Sequence, residues 1–439
     1  MKSNVIWRSL ILVLVFALAL SACAPAAPAE PAAEAPAAEA PAAEEPAAEE
    51  PAAEEPAAEE PAAEVATGMQ IPDIVEGKFN VGLAMLSVHD DGGWSQAQWE
   101  GLQYLEENVD NVHTAYVESV AEGADSEQVF RALARKGFDL IIGGSFGYMD
   151  SMELVAADFP DQAFVHISGF KYNGENFGNM FGAMEDMKYM AGMIAGLRNK
   201  LDGETKVGYM ATFPIPEETR LGNAFALGLQ ETCPECTLDV RWINTWHDPI
   251  IEREAADSLF DAGCNIVFTG ADTPASALAA QDRGDVWGIT YDWGGSCTAD
   301  RCLTAPYWNW GPVFARITEA VRDGTYEFGI DYWDADSGGL GIYGLMEGEE
   351  LTPGQQEIKE AYPEEWAKVE ETLAKFLSGE YNRFTVFTGP IVDNQGNTVL
   401  EEGQTIVQAD IDCFAEWGTC EVGMHWWNEN ITAELPAIE

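Results

Sequence analysis

Several tryptophans of this chain stand in short polar turns rather than in apolar runs. The chain has 14 tryptophans, and Trp94 follows Asp90 and Asp91 in the turn HDDGGW. Trp246 stands in a second polar turn, NTWHDP. Indole faces stack well on flat heteroaromatic rings, and one such stack contributes about 1–3 kcal/mol. The two turns therefore predict a site that holds a planar ring between Trp94 and Trp246.

Acids and amides stand near these tryptophans and can pair with the N–H groups and acceptor nitrogens of such a ring. The structural alternative for each tryptophan is that it packs beneath its own loop. The candidate ligand-binding residues are Asp90, Asp91, Trp94, Ser95, Phe146, Phe213, Asn244, Trp246, Asp272, Asp292, Trp308 and Asn309.

Two glycine-rich motifs suggest other chemistry. GGSFG places Ser145 after the apolar run LII, where a hydrolase carries its nucleophile, and Asp292 and His425 follow in the order acid, histidine. His425 lies in a tryptophan-rich tail, MHWWNEN, which does not resemble a catalytic loop. GGLGIYG has dinucleotide-binding spacing, but no helix is predicted to open at its last glycine. We therefore expect neither catalysis nor a cofactor.

The net charge of −53, from 75 acidic and 22 basic residues, argues against nucleic acid as a partner. At the N-terminus, Lys2 and Arg8 precede the apolar run LILVLVFALAL, which ends in LSAC at Cys23. This is typical of an export signal, and LSAC resembles a bacterial lipobox. The resemblance implies cleavage before Cys23 and a diacylglycerol anchor on its sulfur.

A repeat of Pro, Ala and Glu follows Cys23 and contains no lysine or arginine. Frequent proline and like-charge repulsion favour an extended tether. We predict a signal peptide over residues 1–22 and a lipidated, disordered tether over 23–68. One lobe is expected to comprise residues 78–175 and 295–337, and a second lobe residues 176–294 and 338–439.

Six of the eight cysteines form close pairs in the sequence. Outside the cytoplasm, local disulfides are the natural interpretation. Zinc would need four clustered ligands, which the sequence does not offer, so we expect no metal site. The candidate disulfide pairs are Cys233 with Cys236, Cys297 with Cys302, and Cys413 with Cys420.

Short apolar runs alternate with helical patterns from about Lys78 onward. The predicted strands are VGLAML, HTAYVES, LIIGGS, AFVHIS, VGYMA, LDVRWIN, NIVFTGA and VWGITYD. Such alternation indicates βαβ units and parallel sheets. The polar segment SGFKYNGENFGNMFG interrupts it and suggests a crossover. We predict an α/β fold with two doubly wound, Rossmann-like lobes, whose strand ends bring the candidate residues together across a cleft.

Five segments between Lys78 and Ala433 form a recognisable set: DDGGWSQAQWEGL, VGYMATFPIPEETRLGNAF, WINTWHDPIIEREAADSL, CLTAPYWNWGPVF and FTGPIVDNQG. Together they resemble the basic membrane protein (Bmp) family of solute-binding lipoproteins of ABC importers, and the likeness extends from Lys78 to Ala433. The resemblance implies a type I periplasmic-binding fold with two lobes and three crossovers. It also implies a small-molecule ligand, an ABC permease and its ATPase as partners, and a monomer on the outer face of the plasma membrane.

The resemblance further implies roles for individual residues. Trp94 and Trp246 match the aromatic pair that clamps the base in nucleoside-binding members. Asp90, Asp91 and Ser95 match its polar neighbours, and Asp292 matches a ribose-holding aspartate. Where those members carry a sugar-contacting lysine, this chain has Trp308 and Asn309 in LTAPYWNWG. This departure favours a free purine or similar flat heterocycle over a nucleoside. The alternatives are a nucleoside receptor, a hydrolase using Ser145, and a sensory or adhesive lipoprotein.

Overall fold

The computed structural model describes residues 70–415 and 418–437. The predicted signal peptide, the lipidation site Cys23 and the whole of the predicted tether lie outside the described residues. Within these ranges, no helix is both long enough and apolar enough to cross a membrane.

The first sheet contains six strands, which pair in parallel throughout. They are β1 (Phe79–Ala84), β2 (Val112–Val117), β3 (Leu140–Gly143), β4 (Ala163–Ile167), β5 (Phe177–Gly182) and β12 (Ile330–Trp333). Their spatial order is β12-β5-β4-β3-β1-β2. Strands β3, β4 and β5 are buried at every position, as expected for a sheet covered on both faces by helices.

The second sheet contains five parallel strands in the order β10-β9-β8-β6-β7. They are β6 (Lys206–Ala211), β7 (Thr237–Trp242), β8 (Ile266–Thr269), β9 (Trp287–Ile289) and β10 (Cys302–Thr304). The C-terminal segment extends this sheet at its edge, because Ile431 forms a parallel bridge with Leu238 of β7.

Two small antiparallel pairs complete the strands of the described chain. One joins β11 (Pro306–Trp308) to β13 (Leu340–Ile342), and the other joins β14 (Ile391–Val392) to β15 (Thr398–Leu400). The GGLGIYG motif thus contains a short strand, and the next helix begins only at Pro353. A dinucleotide-binding turn needs a helix that begins at its last glycine, so this geometry does not match one, in agreement with the sequence-based expectation.

Helices follow most strands and cover the sheets. They are α1 (Trp94–Asn108), α2 (Ala124–Lys136), α3 (Met149–Asp158), α4 (Met184–Asp202), α5 (Pro216–Thr232), α6 (Pro249–Asp261), α7 (Ala275–Arg283), α8 (Trp310–Arg322), α9 (Pro353–Ala361), α10 (Pro363–Leu377), α11 (Arg383–Val386) and α12 (Gln408–Ile411). Their apolar faces join the strands in one large core, in which Leu83 and Phe268 are fully buried.

The α/β class and the parallel sheets agree with the sequence-based prediction, and each predicted strand is present. One segment differs. FGNMFG, predicted as part of a polar break, is the buried strand β5, which pairs with β4 and β12. The polar side chain of Asn179 in this strand is hydrogen-bonded to the His166 ring and to the backbone N–H of Gly169. The polar residue is therefore satisfied inside the sheet, which composition alone does not reveal.

Strand membership also differs from the predicted lobe boundaries at two places. Strand β5 belongs to the first sheet although it falls within 176–294, and β10 belongs to the second sheet although it falls within 295–337. The lobe assignment itself stays a prediction.

Six cysteines are joined as Cys233–Cys236, Cys297–Cys302 and Cys413–Cys420, and Cys264 is a buried thiol.

Candidate functional site

A cavity lies where the carboxyl ends of the two parallel sheets meet. Its volume is about 420 Å³, counting the space open to solvent at its mouth. Loops that follow strands of both sheets line it, as expected for ligand sites in doubly wound folds. The first sheet contributes Leu86, Trp94, Ser145, Phe146 and Ser168, and the second contributes Glu217, Glu218, Trp246, Gly270, Asp272, Tyr291 and Asp292.

Trp94 is held rigidly at this cavity by the first sheet. It is the first residue of α1, and its indole Nε1 donates a 2.6 Å hydrogen bond to the carbonyl of Gly144 after β3. The edges of two further rings meet it at nearly right angles, Trp308 at 5.7 Å and Trp310 at 5.6 Å between centroids. Because its polar atom is already bonded, the indole offers mainly its apolar surface to the cavity.

Trp246 reaches the same cavity from the second sheet. It lies in the loop between β7 and α6, and its ring centroid is 4.9 Å from that of Phe213, with the planes tilted by 57°. Phe213 itself lines an adjoining, larger cavity together with Asn244. The structure therefore brings the two predicted indoles to one cavity from opposite sheets.

Asp292 is the most constrained acid of the cavity. Its φ is 66°, in the left-handed region that non-glycine residues seldom adopt, and its carboxylate accepts a 2.9 Å bond from Trp308 Nε1. Ser168, which also lines the cavity, has a φ of 68°. Backbone conformations of this kind persist where the surrounding fold requires a precise side-chain position.

The cavity wall is acidic. Glu217, Glu218, Asp272 and Asp292 all line it, and burial raises the pKa of each carboxyl group, with repulsion from neighbouring acids adding to the effect in several cases. Carboxyl groups held in this way accept hydrogen bonds from N–H donors or, when protonated, donate them. The wall therefore suits a ligand edge that is rich in N–H groups and excludes anions.

One buried cation lies behind the wall. The Lys188 ammonium of α4 is 3.4 Å from the ring centroid of Tyr291 and donates a hydrogen bond to the hydroxyl of Tyr209 at 3.3 Å. Burial lowers the pKa of Lys188 to about 8, and the nearby carboxylates of Glu218 and Asp292 oppose that shift. Lys188 thus offsets part of the negative charge of the cavity without lining it.

The loops of the two sheets touch at one edge of the cavity, which we call the seam (residues 91–93, 247 and 272). Gly93 lies so close to Asp272 that a Cβ there would be 1.9 Å from the carbonyl oxygen of Asp272. Asp91 is fixed by backbone N–H donors of Gly93, Ser95 and Gln96. At the seam, the loop that follows β1 is therefore packed directly against the loop that follows β8.

Several predicted site residues lie away from the cavity. Trp308 is only 3% exposed and stacks between Phe181 and Trp310, so it supports Asp292 and Trp94 instead of lining the wall. Asn309 is exposed and donates to the carbonyl of Gly338. Ser95 is fully buried, and its hydroxyl accepts the N–H of Ser87. Asp90 is exposed on the turn.

The hydrolase alternative has no supporting geometry among the described residues. The Ser145 hydroxyl donates a 2.6 Å bond to Glu122, and the His166 ring bonds to the backbone carbonyl of Ser145. The His425 ring bonds to the carbonyl of Pro436. The serine, acid and histidine arrangement that the sequence suggested needs a histidine at the serine hydroxyl, and Ser145 has the Glu122 carboxylate there.

Sequence reasoning missed the acidic pair Glu217 and Glu218, as well as Tyr291 and Lys188. The pair stood inside the motif FPIPEE directly after a strand, a position that could have drawn attention to it. Lys188 is the one basic residue in the stretch MEDMKYMAGMIAGL of α4, which has no other charged residue after Asp186, and a buried lysine in such a stretch signals a paired charge.

A family model described as "ABC transporter substrate-binding protein PnrA-like" (Bmp) matches residues 78–378. The chain belongs to the Bmp family. This confirms the resemblance found in the sequence, and the family is one of substrate-binding proteins of ABC transporters. Substrate-binding proteins of ABC importers act outside the cytoplasm.

Two relatives of this Bmp protein differ in the ligand that their descriptions name. A purine-binding protein of Brucella abortus is 34% identical over 363 residues, covering 82% of this chain and 95% of that protein. A protein of Haloferax volcanii, described provisionally as an ABC transporter glucose-binding protein, is 38% identical over 249 residues. That alignment covers 56% of this chain and 62% of the Haloferax protein.

Solved structures share the fold of this Bmp protein. An ABC transporter solute-binding protein of Aeropyrum pernix has a TM-score of 0.58 at 19% identity, covering 69% of this chain and 92% of that chain. A transcriptional activator of the comK gene from Bacillus halodurans has a TM-score of 0.56 at 22% identity, covering 69% and 99%. At these identities the likeness shows the type I periplasmic-binding fold alone.

Proposed function

We propose that the protein captures a purine base, or a similar planar heterocycle, and delivers it to an ABC permease. The observation that carries this proposal is the pair Trp94 and Trp246, which reach one cavity from opposite sheets. A flat ring between two indoles gains stacking energy from both, whereas either lobe alone supplies only one. The purine-binding relative from Brucella abortus supports the same ligand class.

The acids of the cavity suit the edge of such a ring. Asp272 is 5% exposed and its Oδ2 has no hydrogen-bond partner among the described residues, so it is ready to accept an N–H of a ligand. Contacts with both lobes favour the closed state, because a ligand shifts a conformational equilibrium by its differential affinity. In this mechanism, the permease then recognises the closed form, and no bond is made or broken.

A purine nucleoside is the second candidate ligand. A cavity of about 1380 Å³, again counting open solvent, shares Phe146, Ser168 and Glu217 with the first cavity. Asn244, with a φ of 53°, lines it and offers amide groups to a sugar. This space favours a ligand that carries a sugar on its ring, whereas Trp308 and Asn309 in the sequence favour a free base.

A ligand screen tests these proposals. The protein is heated with adenine, guanine, adenosine, guanosine, uracil or glucose, and its melting temperature is measured. A ligand at about 100 times its Kd adds about 2.7 kcal/mol of stability by mass action. Stabilisation by purine bases supports the first proposal. Tight adenosine binding with weak adenine binding favours the nucleoside, and a response to glucose alone overturns both.

We further propose that the protein is anchored to the outer face of the plasma membrane through a lipid on Cys23. The LSAC sequence and the proline-rich, acidic segment after it support this arrangement. Detergent phase partitioning of the protein made in bacteria tests it. Native protein is expected in the detergent phase and Cys23→Ala in the aqueous phase. Equal partitioning of the two forms contradicts the proposal.

A further inference from the structure

The seam contains three metal-ligating side chains from sequence positions far apart. Asp91 follows β1 of the first sheet, whereas His247 and Asp272 follow β7 and β8 of the second. One ligand atom from each of the three lies within 4.8 Å of the others. Two carboxylates and an imidazole form a mixed oxygen and nitrogen set, which suits divalent ions such as Zn²⁺ or Mn²⁺.

Unsatisfied polar atoms point to a missing partner at this place. Asp272 is only 5% exposed, and its buried Oδ2 atom has no hydrogen-bond partner among the described residues. The Nδ1 atom of His247 is also buried, and it has no hydrogen-bond partner among the residues that the structure describes. Buried polar atoms of native proteins are bonded in the great majority of cases, so two orphans beside each other require an explanation.

The charges of the seam lead to the same conclusion. The Gly93 backbone lies against the carbonyl of Asp272, and the Asp91 and Asp272 carboxylates meet there from loops of different sheets. Two carboxylates at this separation repel unless a positive charge lies between them. Asp91 is already oriented by three backbone N–H donors and keeps acceptor capacity for an ion.

We propose that Asp91, His247 and Asp272 bind one divalent transition metal ion, which bridges the two lobes at the seam. Small side-chain rotations bring the ligand atoms to about 2.1 Å from a shared ion. Three protein ligands leave further coordination positions to water or to a molecule in the adjoining cavity. The ion neutralises the facing carboxylates and so favours the closed form. Asp272 also lines the cavity proposed for the organic ligand, so the metal site is tested on the ligand-free protein.

Calorimetric titration of the ligand-free protein with ZnCl₂ tests this site. Wild type is expected to show one saturable site above the weak binding of surface acids, and His247→Ala to weaken that site at least tenfold. His113→Ala is the matched control, because this partly buried imidazole lies 3.8 Å from Glu106 and away from the seam. Its titration is expected to equal that of wild type.

A second variant and a second readout keep the test decisive. Asp272→Asn is expected to weaken Zn²⁺ binding as well, and circular dichroism verifies that each variant is folded. Wild type is expected to melt at a higher temperature with Zn²⁺, and His247→Ala to show less of that increase. Absence of a saturable site in wild type, or unchanged binding by His247→Ala, overturns the proposal whatever the purine screen shows.

Discussion

Trp308 donates its indole N–H to the carboxylate of Asp292 over 2.9 Å, and this bond links the aromatic cluster around Trp308 and Trp310 to the cavity wall. Trp308 also lies against Trp94, the indole that lines the cavity from the first sheet. One buried tryptophan therefore positions both an acid and a stacking surface without itself lining the cavity.

Removing this N–H donor tests the link. Trp308→Phe retains an aromatic ring but leaves the buried Asp292 carboxyl with one partner fewer, so we expect a loss of about 1–3 kcal/mol in unfolding free energy. Ligand affinity should fall as well. Trp310→Phe is the control, since Trp310 stacks on Trp308 and its Nε1 has no partner among the described residues. Equal losses in the two variants, measured by chemical denaturation, would argue against the bond.

The two cavity indoles should contribute to binding separately. We expect Trp94→Ala and Trp246→Ala each to weaken binding of the best purine from the screen by about 1–3 kcal/mol, or roughly 5- to 150-fold. Calorimetric Kd values provide the measurement. Trp99→Ala serves as a matched control, because Trp99 is half-buried in the same helix as Trp94 and does not line the cavity. A purine affinity that survives both cavity variants is incompatible with stacking.

The close approach at the seam makes Gly93 sensitive to any side chain. A Cβ at this position would meet the backbone of Asp272 at 1.9 Å, so Gly93→Ala must push the two loops apart. We expect weaker ligand binding and a larger radius of gyration by small-angle scattering in the presence of ligand. Gly329→Ala is the control, because a Cβ there has no heavy atom within 4 Å. Wild-type binding by Gly93→Ala would show that the seam is not part of closure.

The buried Glu252 should make stability depend on pH. Burial raises the pKa of Glu252 to about 7 from 4.5, although its carboxylate accepts bonds from Thr273 and from the N–H of Asp248. A raised folded-state pKa means that this stability is complete below pH 4.5 and is lost as the pH rises through 7. The loss amounts to about 3 kcal/mol.

Glu252→Gln removes this titration, so the stability of wild type relative to the variant is expected to fall between pH 5 and pH 8. Denaturation curves measured across that range, with a chelator present, provide the test. Glu254→Gln is the control, since Glu254 is exposed on the same helix. A constant difference between wild type and Glu252→Gln at every pH would exclude the buried acid as the cause.

Local patterns were sufficient to predict most of the fold. The parallel strands are short and buried on both faces, so most of their residues are apolar. Such runs can be recognised directly in the sequence. Strand β5 was missed because Asn179 made it look polar, and only its bonds to His166 and Gly169 explain how that residue is buried. The positions of Trp94 and Trp246 beyond the carboxyl ends of strands were predictable, because the segments that follow parallel strands gather at one edge of a sheet.

The sequence by itself determined the α/β class, the family and the loops from which the candidate site is built, because these depend on residue order and local burial. The tertiary structure alone decided which side chains of those loops face the cavity. Trp308 turns inward to Asp292, whereas Glu217 and Glu218 turn toward the cavity. It also decided that Asp91 meets His247 and Asp272. Such distances depend on how two sheets pack, and no local pattern encodes that packing.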